Sequence, residues 1–179
     1  GALAVNTIKG VTKALINADV NVNQDSTIDA AASSQSVTVR ATDATDIVDF
    51  TGAGSFGSSA GVGIGLDANV VWKDTKAIIA GSVSADTQID VIADVEENML
   101  ATVVGLAGGG SDAVGGSVGL MLIKNDVQAL VESTATLVSD GNIKVHAEDD
   151  SDVFFLTGGG GFGGSNGIAG AFGVTVHVG

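Results

Sequence analysis

Three glycine tracts at even spacing constrain this chain more than any other feature. Gly52–Gly65 reads GAGSFGSSAGVGIG, Gly105–Gly119 reads GLAGGGSDAVGGSVG and Gly158–Gly173 reads GGGGFGGSNGIAGAFG. They begin at 52, 105 and 158, so each starts 53 residues after the one before (105 − 52 and 158 − 105). A constant period of this size marks a repeat architecture, in which each repeat buries its apolar face against its neighbours. Collagen also repeats glycine, but at every third position and with proline, which this chain lacks. A flexible glycine linker would not be threaded with Val, Leu and Ile.

Two further anchors recur with the tracts. The first is a short strand: Thr12–Ile16 (TKALI), Thr75–Ile79 (TKAII) and Val127–Val131 (VQALV). The second is an alternating strand through an alanine: Val37–Ala41, Ile89–Ala93 and Ile143–Ala147. In Val37-Thr38-Val39-Arg40-Ala41, apolar and polar residues alternate with period 2, the pattern of a half-buried strand. No stretch combines helical spacing with a cap. The expected fold is all-β: a parallel β-helix-like solenoid of about 53 residues per repeat, with about four strands in each. Repeat 1 covers about 7–65, repeat 2 about 66–119 and repeat 3 about 120–173, with 1–6 and 174–179 as partial repeats. Repeat 1 carries extra residues around Asn21–Ser36, expected in an outward loop. Turns are expected at Asn23–Ser26, Ser84–Asp86 and Ser139–Asn142.

Glycine also suggests how the walls pack. Met99–Val104 and Val118–Ile123, beside the second tract, are apolar on both faces, as in strands covered on both sides. Glycine strips bulk from a strand and lets two backbones approach. A flattened coil follows, its glycine-rich walls nearly in contact and its outer faces covered by another layer or a neighbouring subunit. Gly1–Asn6 is matched to Val118–Ile123, and Phe172–Val176 to the same strand, so the array is open at both ends. A first residue of Gly rather than Met suggests an excised or processed piece. Aligned narrow-wall chemistry agrees with the rest of the composition, since there are only six Phe, one Trp and no Tyr or Cys.

The repeats resemble those of very large secreted bacterial surface proteins, the leukotoxin-like and filamentous-haemagglutinin-like adhesins. The resemblance rests on Ala4-Val5-Asn6-Thr7-Ile8, Thr12–Ile16 and Thr75–Ile79, then Val37–Asp43 as Val-x-Val-x-Ala-x-Asp, followed by a Gly/Ala/Val tract. The extra loop of repeat 1 and Gln128 in place of the repeated lysine depart from it. It implies an extracellular or cell-surface solenoid in a stalk, fibre or adhesin, with no catalytic residues to carry over.

Net charge is −14, so nucleic acid and anionic membranes are disfavoured partners. No apolar run is long enough for a spanning helix. Gly52-Ala53-Gly54-Ser55-Phe56-Gly57 and the trio Gly158, Gly160 and Gly163 fit the dinucleotide fingerprint, but a strand-like run follows where a helix is needed. Ten acids gather at one station: Asp43, Asp46 and Asp49; Asp94, Glu96 and Glu97; Glu148, Asp149, Asp150 and Asp152. Stacked carboxylates could take calcium, or form a solvated edge that resists aggregation. Gly109–Asp112 is only faintly similar to a calcium-binding nonapeptide. Lys9, Lys13, Lys73, Lys76 and Lys124 form a second station, either a solvated edge or a glycan-binding column. Trp72 could stack on sugar or pack against a bulge. His146 and His177 lack any motif, while Asp90 and Lys144 occupy equivalent positions of neighbouring repeats. The expected reading is non-enzymatic and structural, without catalytic, cofactor or metal residues. Its partners would be neighbouring copies through strand edges and glycine-rich walls, or host glycan. A glycan- or receptor-binding module and a calcium-stiffened toxin segment are the alternatives.

Overall fold

The computed structural model describes residues 1–24 and 34–179, and every regular element in them is a β-strand. In chain order these are β1 (Ala2–Ile16), β2 (Asn21–Val22), β3 (Ser36–Gly57), β4 (Ala60–Ile79), β5 (Ser82–Ala85), β6 (Gln88–Gly109), β7 (Asp112–Val131), β8 (Thr136–Ser139), β9 (Asn142–Gly163) and β10 (Asn166–Val178). They form three parallel sheets, β1-β4-β7-β10, β2-β5-β8 and β3-β6-β9. The chain visits the sheets in turn, and each strand pairs with its equivalent one pass later. Gln88 lies beside Asn142, 54 positions on (142 − 88), and Ser36 beside Gln88, 52 on (88 − 36). Ala2 lies beside Gly65, 63 on (65 − 2), because the first pass contains the insertion. This topology is compatible with a parallel β-solenoid and excludes a stack of antiparallel sheets.

Three strands make up a pass, not four. The strand at the alanine anchor continues without a break into the glycine tract, and the strand leaving the tract continues into the Thr-Lys anchor. The reason is parity. Along β6, residues 89, 91, 93 and onward to 107 all face inward, and the alternation runs on through the inward Glu97 without a turn. The chain bends instead between the long strands and the short β5 and β8. There Ala80 N–H reaches Ile16 C=O at 2.8 Å, and Ala135 N–H reaches Glu132 C=O at 3.0 Å. The chain bends at Asp140 and Gly141, inside the expected turn Ser139–Asn142, and equivalently at Asp86 and Thr87, whereas Ser84 and Ala85 of the expected turn Ser84–Asp86 belong to β5. Within the expected turn Asn23–Ser26 and the Asn21–Ser36 insertion, residues 25–33 lie outside the described residues. Register also corrects the alignment of the N-terminal strand. Leu3 pairs with Leu66, and that with Val118, a shift of two residues that leaves every side chain on its expected face.

Read across one pass, the interior has four regions in succession. Where the three sheets meet, Val39, Ala77, Ile79, Val83, Ile89 and Val91 make an apolar core. Next comes a band of polar side chains, and then a second core of Val71, Met99, Ala101, Met121 and Ile123. Last is a blade in which the two long sheets meet through glycine. A Cβ at Gly63 would strike the carbonyl of Leu106, one at Gly105 the carbonyl of Gly116, and one at Gly65 would lie 2.8 Å from the Val104 oxygen. None of the described glycines has positive φ, so these residues serve for their lack of bulk rather than for backbone freedom.

The outer faces of the blade carry exposed apolar rows. Among the described residues nothing covers them. Val48, Phe50, Phe56, Phe154 and Phe162 stand out from β3 and β9, and Leu3, Val62, Ile64, Val118, Ile168 and Phe172 stand out from the opposite sheet. Phe56 lies over Gly108, whose missing side chain makes room for the ring.

Candidate functional site

Strand alternation splits the acidic station in two. Asp46, Asp94, Glu96, Glu148, Asp150 and Asp152 occupy outward positions, while Asp43, Asp49, Glu97 and Asp149 share the inward parity of Ala41 and Ala93. The expectation of a uniformly solvated acidic edge is therefore corrected for Asp43, Asp49 and Glu97, whereas Asp149, on the last strand of its sheet, is exposed. The lysine station splits the same way. Lys73 is 4% exposed and has the parity of Val71 and Ile79, so it lies in no surface column.

The inward groups form a polar spine between the two apolar cores. The Lys73 ammonium contacts the Asp43 carboxylate and the Thr45 hydroxyl, with Glu97 Oε1 at 3.9 Å. Burial alone would raise the Asp43 carboxyl, but Lys73 and the hydroxyls of Thr12 and Thr45 outweigh it and hold the group below the usual carboxylate range. One pass later, Asn125 occupies the place of Lys73. Its Nδ2 donates toward Glu97 Oε2 (3.1 Å), Asp149 Oδ1 (2.9 Å) and Ser151 Oγ (3.4 Å). Ser151 Oγ in turn donates to Asp149 Oδ1 at 2.8 Å. His177, on β10, reaches Asp149 Oδ2 at 3.6 Å.

A second inward cluster lies beyond the Val71–Met99 core, toward the blade. Asn69 Nδ2 donates to Asp67 Oδ2 (2.6 Å) and Asp49 Oδ2 (3.0 Å), and Asn6 Nδ2 donates to Asp49 Oδ2 (2.9 Å). Burial, and then the neighbouring Asp49 charge, push the Asp67 carboxyl up to about 6. In the later passes Phe155 fills this level, lying where a Cβ on Gly119 or Gly173 would be.

The outer face of β1-β4-β7 holds a shallow groove lined by Lys9, Trp72, Asp74, Lys124 and Asp126. Trp72 is 43% exposed, and Lys9 Nζ lies 4.5 Å from its ring centre. That is a cation–π contact rather than packing against a bulge. Beside the groove Lys76 bridges Asp126 (2.9 Å) and Asp74 (3.0 Å), and these pairings raise the Lys76 ammonium. The same lysine lowers the Asp126 carboxyl. Lys13 reaches Asp74 at 3.4 Å.

The other candidates carry less chemistry. Asp94, His146 and Glu148 cluster on the outside, where Arg40 already pairs with Asp94 at 2.6 Å. Asp90 and Lys144 are neighbours on β6 and β9. The glycines of both fingerprint matches lie in β3 and β9, with no helix after them to hold a pyrophosphate. Gly110 and Ser111 form the turn at the blade tip, where Asn166 Nδ2 donates to Asp112 Oδ1 at 2.8 Å. None of the described helices is long and apolar enough to cross a membrane, the described elements all being strands. Asn125, Asn69 and Asp67 were missed by sequence reasoning, although the parity that buries Val71 and Ile79 also buries them. No family model, curated protein or solved structure matches the chain.

Proposed function

We propose that this chain is a structural, non-enzymatic segment of an extracellular bacterial fibre, stalk or adhesin, which builds length by stacking coils of about 53 residues. The observation that carries the reading is the pairing of each strand with its equivalent one pass later. In such a stack every added pass extends the molecule by one strand spacing, about 4.8 Å, through backbone hydrogen bonds that do not depend on a particular side chain. The repeats' resemblance to giant secreted adhesins supports the bacterial cell-surface location. The exposed apolar rows of the blade suit contact with neighbouring copies or adjoining repeats, and the outward acids keep the remaining surface hydrated. Negative-stain microscopy of the native material, combined with the mass of the intact polypeptide, tests the reading. Thin rods or fibres whose length scales with repeat number are expected, and compact particles of fixed size would overturn it.

The Trp72 groove favours a second reading, a glycan- or receptor-binding module. An exposed indole flanked by Lys9 and Lys124 offers an apolar platform and cationic partners to an acidic sugar. Specific retention on a glycan array, lost in Trp72→Ala, would establish it. Lys73 has no part in that test, being buried.

A further inference from the structure

The polar spine compares two successive intervals of one molecule. Between β3 and β6, the carboxylates of Asp43 and Glu97 flank the ammonium of Lys73. Between β6 and β9, the carboxylates of Glu97 and Asp149 flank Asn125, which the register places beside Lys73. The second interval thus keeps its two acids, and a neutral amide stands where the first has a cation. Lys73 lies on the Asp43 side of Glu97, and His177 is charged only when protonated.

The hydrogen bonding of Asn125 is unbalanced. Its amide has two N–H groups, yet four oxygen atoms surround Nδ2: Glu97 Oε2, both oxygens of Asp149 and Ser151 Oγ. Its own Oδ1 is buried without a partner, in a residue only 3% exposed. Glu97 is 1% exposed, and its Oε1 accepts no hydrogen bond. Leaving such acceptors bare inside a protein is costly. Glu97 Oε1 has the Lys73 ammonium 3.9 Å away, and a cation among the remaining oxygens would give them a partner. It would neutralise the paired carboxylates, and a half-turn of the Asn125 amide would bring Oδ1 in as a further ligand.

We propose that Glu97, Asn125, Asp149 and Ser151 form a binding site for a hard divalent cation of the calcium type, which takes the place that the Lys73 ammonium holds one pass earlier. Two carboxylates, an amide oxygen and a hydroxyl are an all-oxygen set suited to calcium rather than to thiophilic metals. The site lies beside the last strand of its sheet, with Glu97 and Asn125 buried and Asp149 open to solvent, and it stands whether or not the chain serves as a stalk.

The test is calorimetric titration of calcium chloride into the chelator-treated 179-residue chain, alongside melting curves in calcium and in EDTA. Saturable binding of a single ion with a rise in melting temperature is expected. Asn125→Lys supplies the missing ammonium, so it should bind at least tenfold more weakly and melt in EDTA no lower than the parent. His146→Ala, in the outer acidic cluster, should bind as the parent does. Absence of binding by the parent overturns the proposal, and so does undiminished binding by Asn125→Lys. Should Asn125→Lys fail to fold, Asp149→Asn decides, since retained affinity in that variant places the ion elsewhere.

Discussion

The close approach of the two glycine walls makes a sharp prediction, because neighbouring glycines face opposite ways. Gly105 faces inward, where a methyl group would collide with the Gly116 carbonyl and lie 2.9 Å from that of Gly63. Both obstacles are backbone held in sheet hydrogen bonds, so neither can turn aside. Overpacking of this kind costs about 1–3 kcal/mol or more. Because Gly105 has no positive φ, alanine also gains about 0.4–1 kcal/mol by restricting the unfolded chain. The net loss for Gly105→Ala is then about 1–2 kcal/mol, or roughly 2–8 °C in melting temperature for a chain of this size. Gly54 has the opposite parity, and a Cβ there meets nothing within 4 Å. Gly54→Ala retains only the unfolded-state gain and should melt roughly 1–4 °C higher. Far-UV circular dichroism melts of the two variants, with urea titrations to check that the slope is unchanged, measure the contrast. Shifts of the same sign and size would refute the argument, since they would mean that the walls are not in contact at Gly105.

Other consequences follow from the buried charges. Lys73→Met leaves the Asp43 and Glu97 carboxylates together without their cation, and should cost about 3–5 kcal/mol at neutral pH. A urea midpoint equal to that of the parent would remove the ammonium from this role. Asp67 predicts a pH effect. Below about pH 4 the carboxyl is protonated whether the chain is folded or unfolded. Between there and about 6 the unfolded chain releases a proton that the folded one retains, so stability falls as pH rises. Asp67→Asn should flatten that slope and be the more stable protein at pH 7, by about 1.4 kcal/mol for each unit of the shift. Parallel pH–stability curves for variant and parent would contradict this.

Much of the architecture was legible in the chain. The spacing of the glycine tracts, together with alternation such as Ile143, Val145 and Ala147, pointed to an all-β, parallel-stacked arrangement. The strand count was misread because local pattern marks where a strand begins, whereas its continuation from Ala93 to Val103 depends on the opposite wall accepting every second residue. The candidate sites were less legible. Lys73 and Lys76 look alike in composition and differ only in parity, which sends one into the spine and the other to Asp126.

The sequence alone therefore determined the strand character and the alternation of sides along each strand, since these are local properties of an extended chain. Only the tertiary structure decided which inward residues meet. Asn125 joins Glu97 and Asp149, and Phe155 takes the level that Asp49 and Asp67 share in the first pass. Such meetings depend on the register between passes and on which wall faces which, and because paired strands lie a whole pass apart in the chain, both are left to packing.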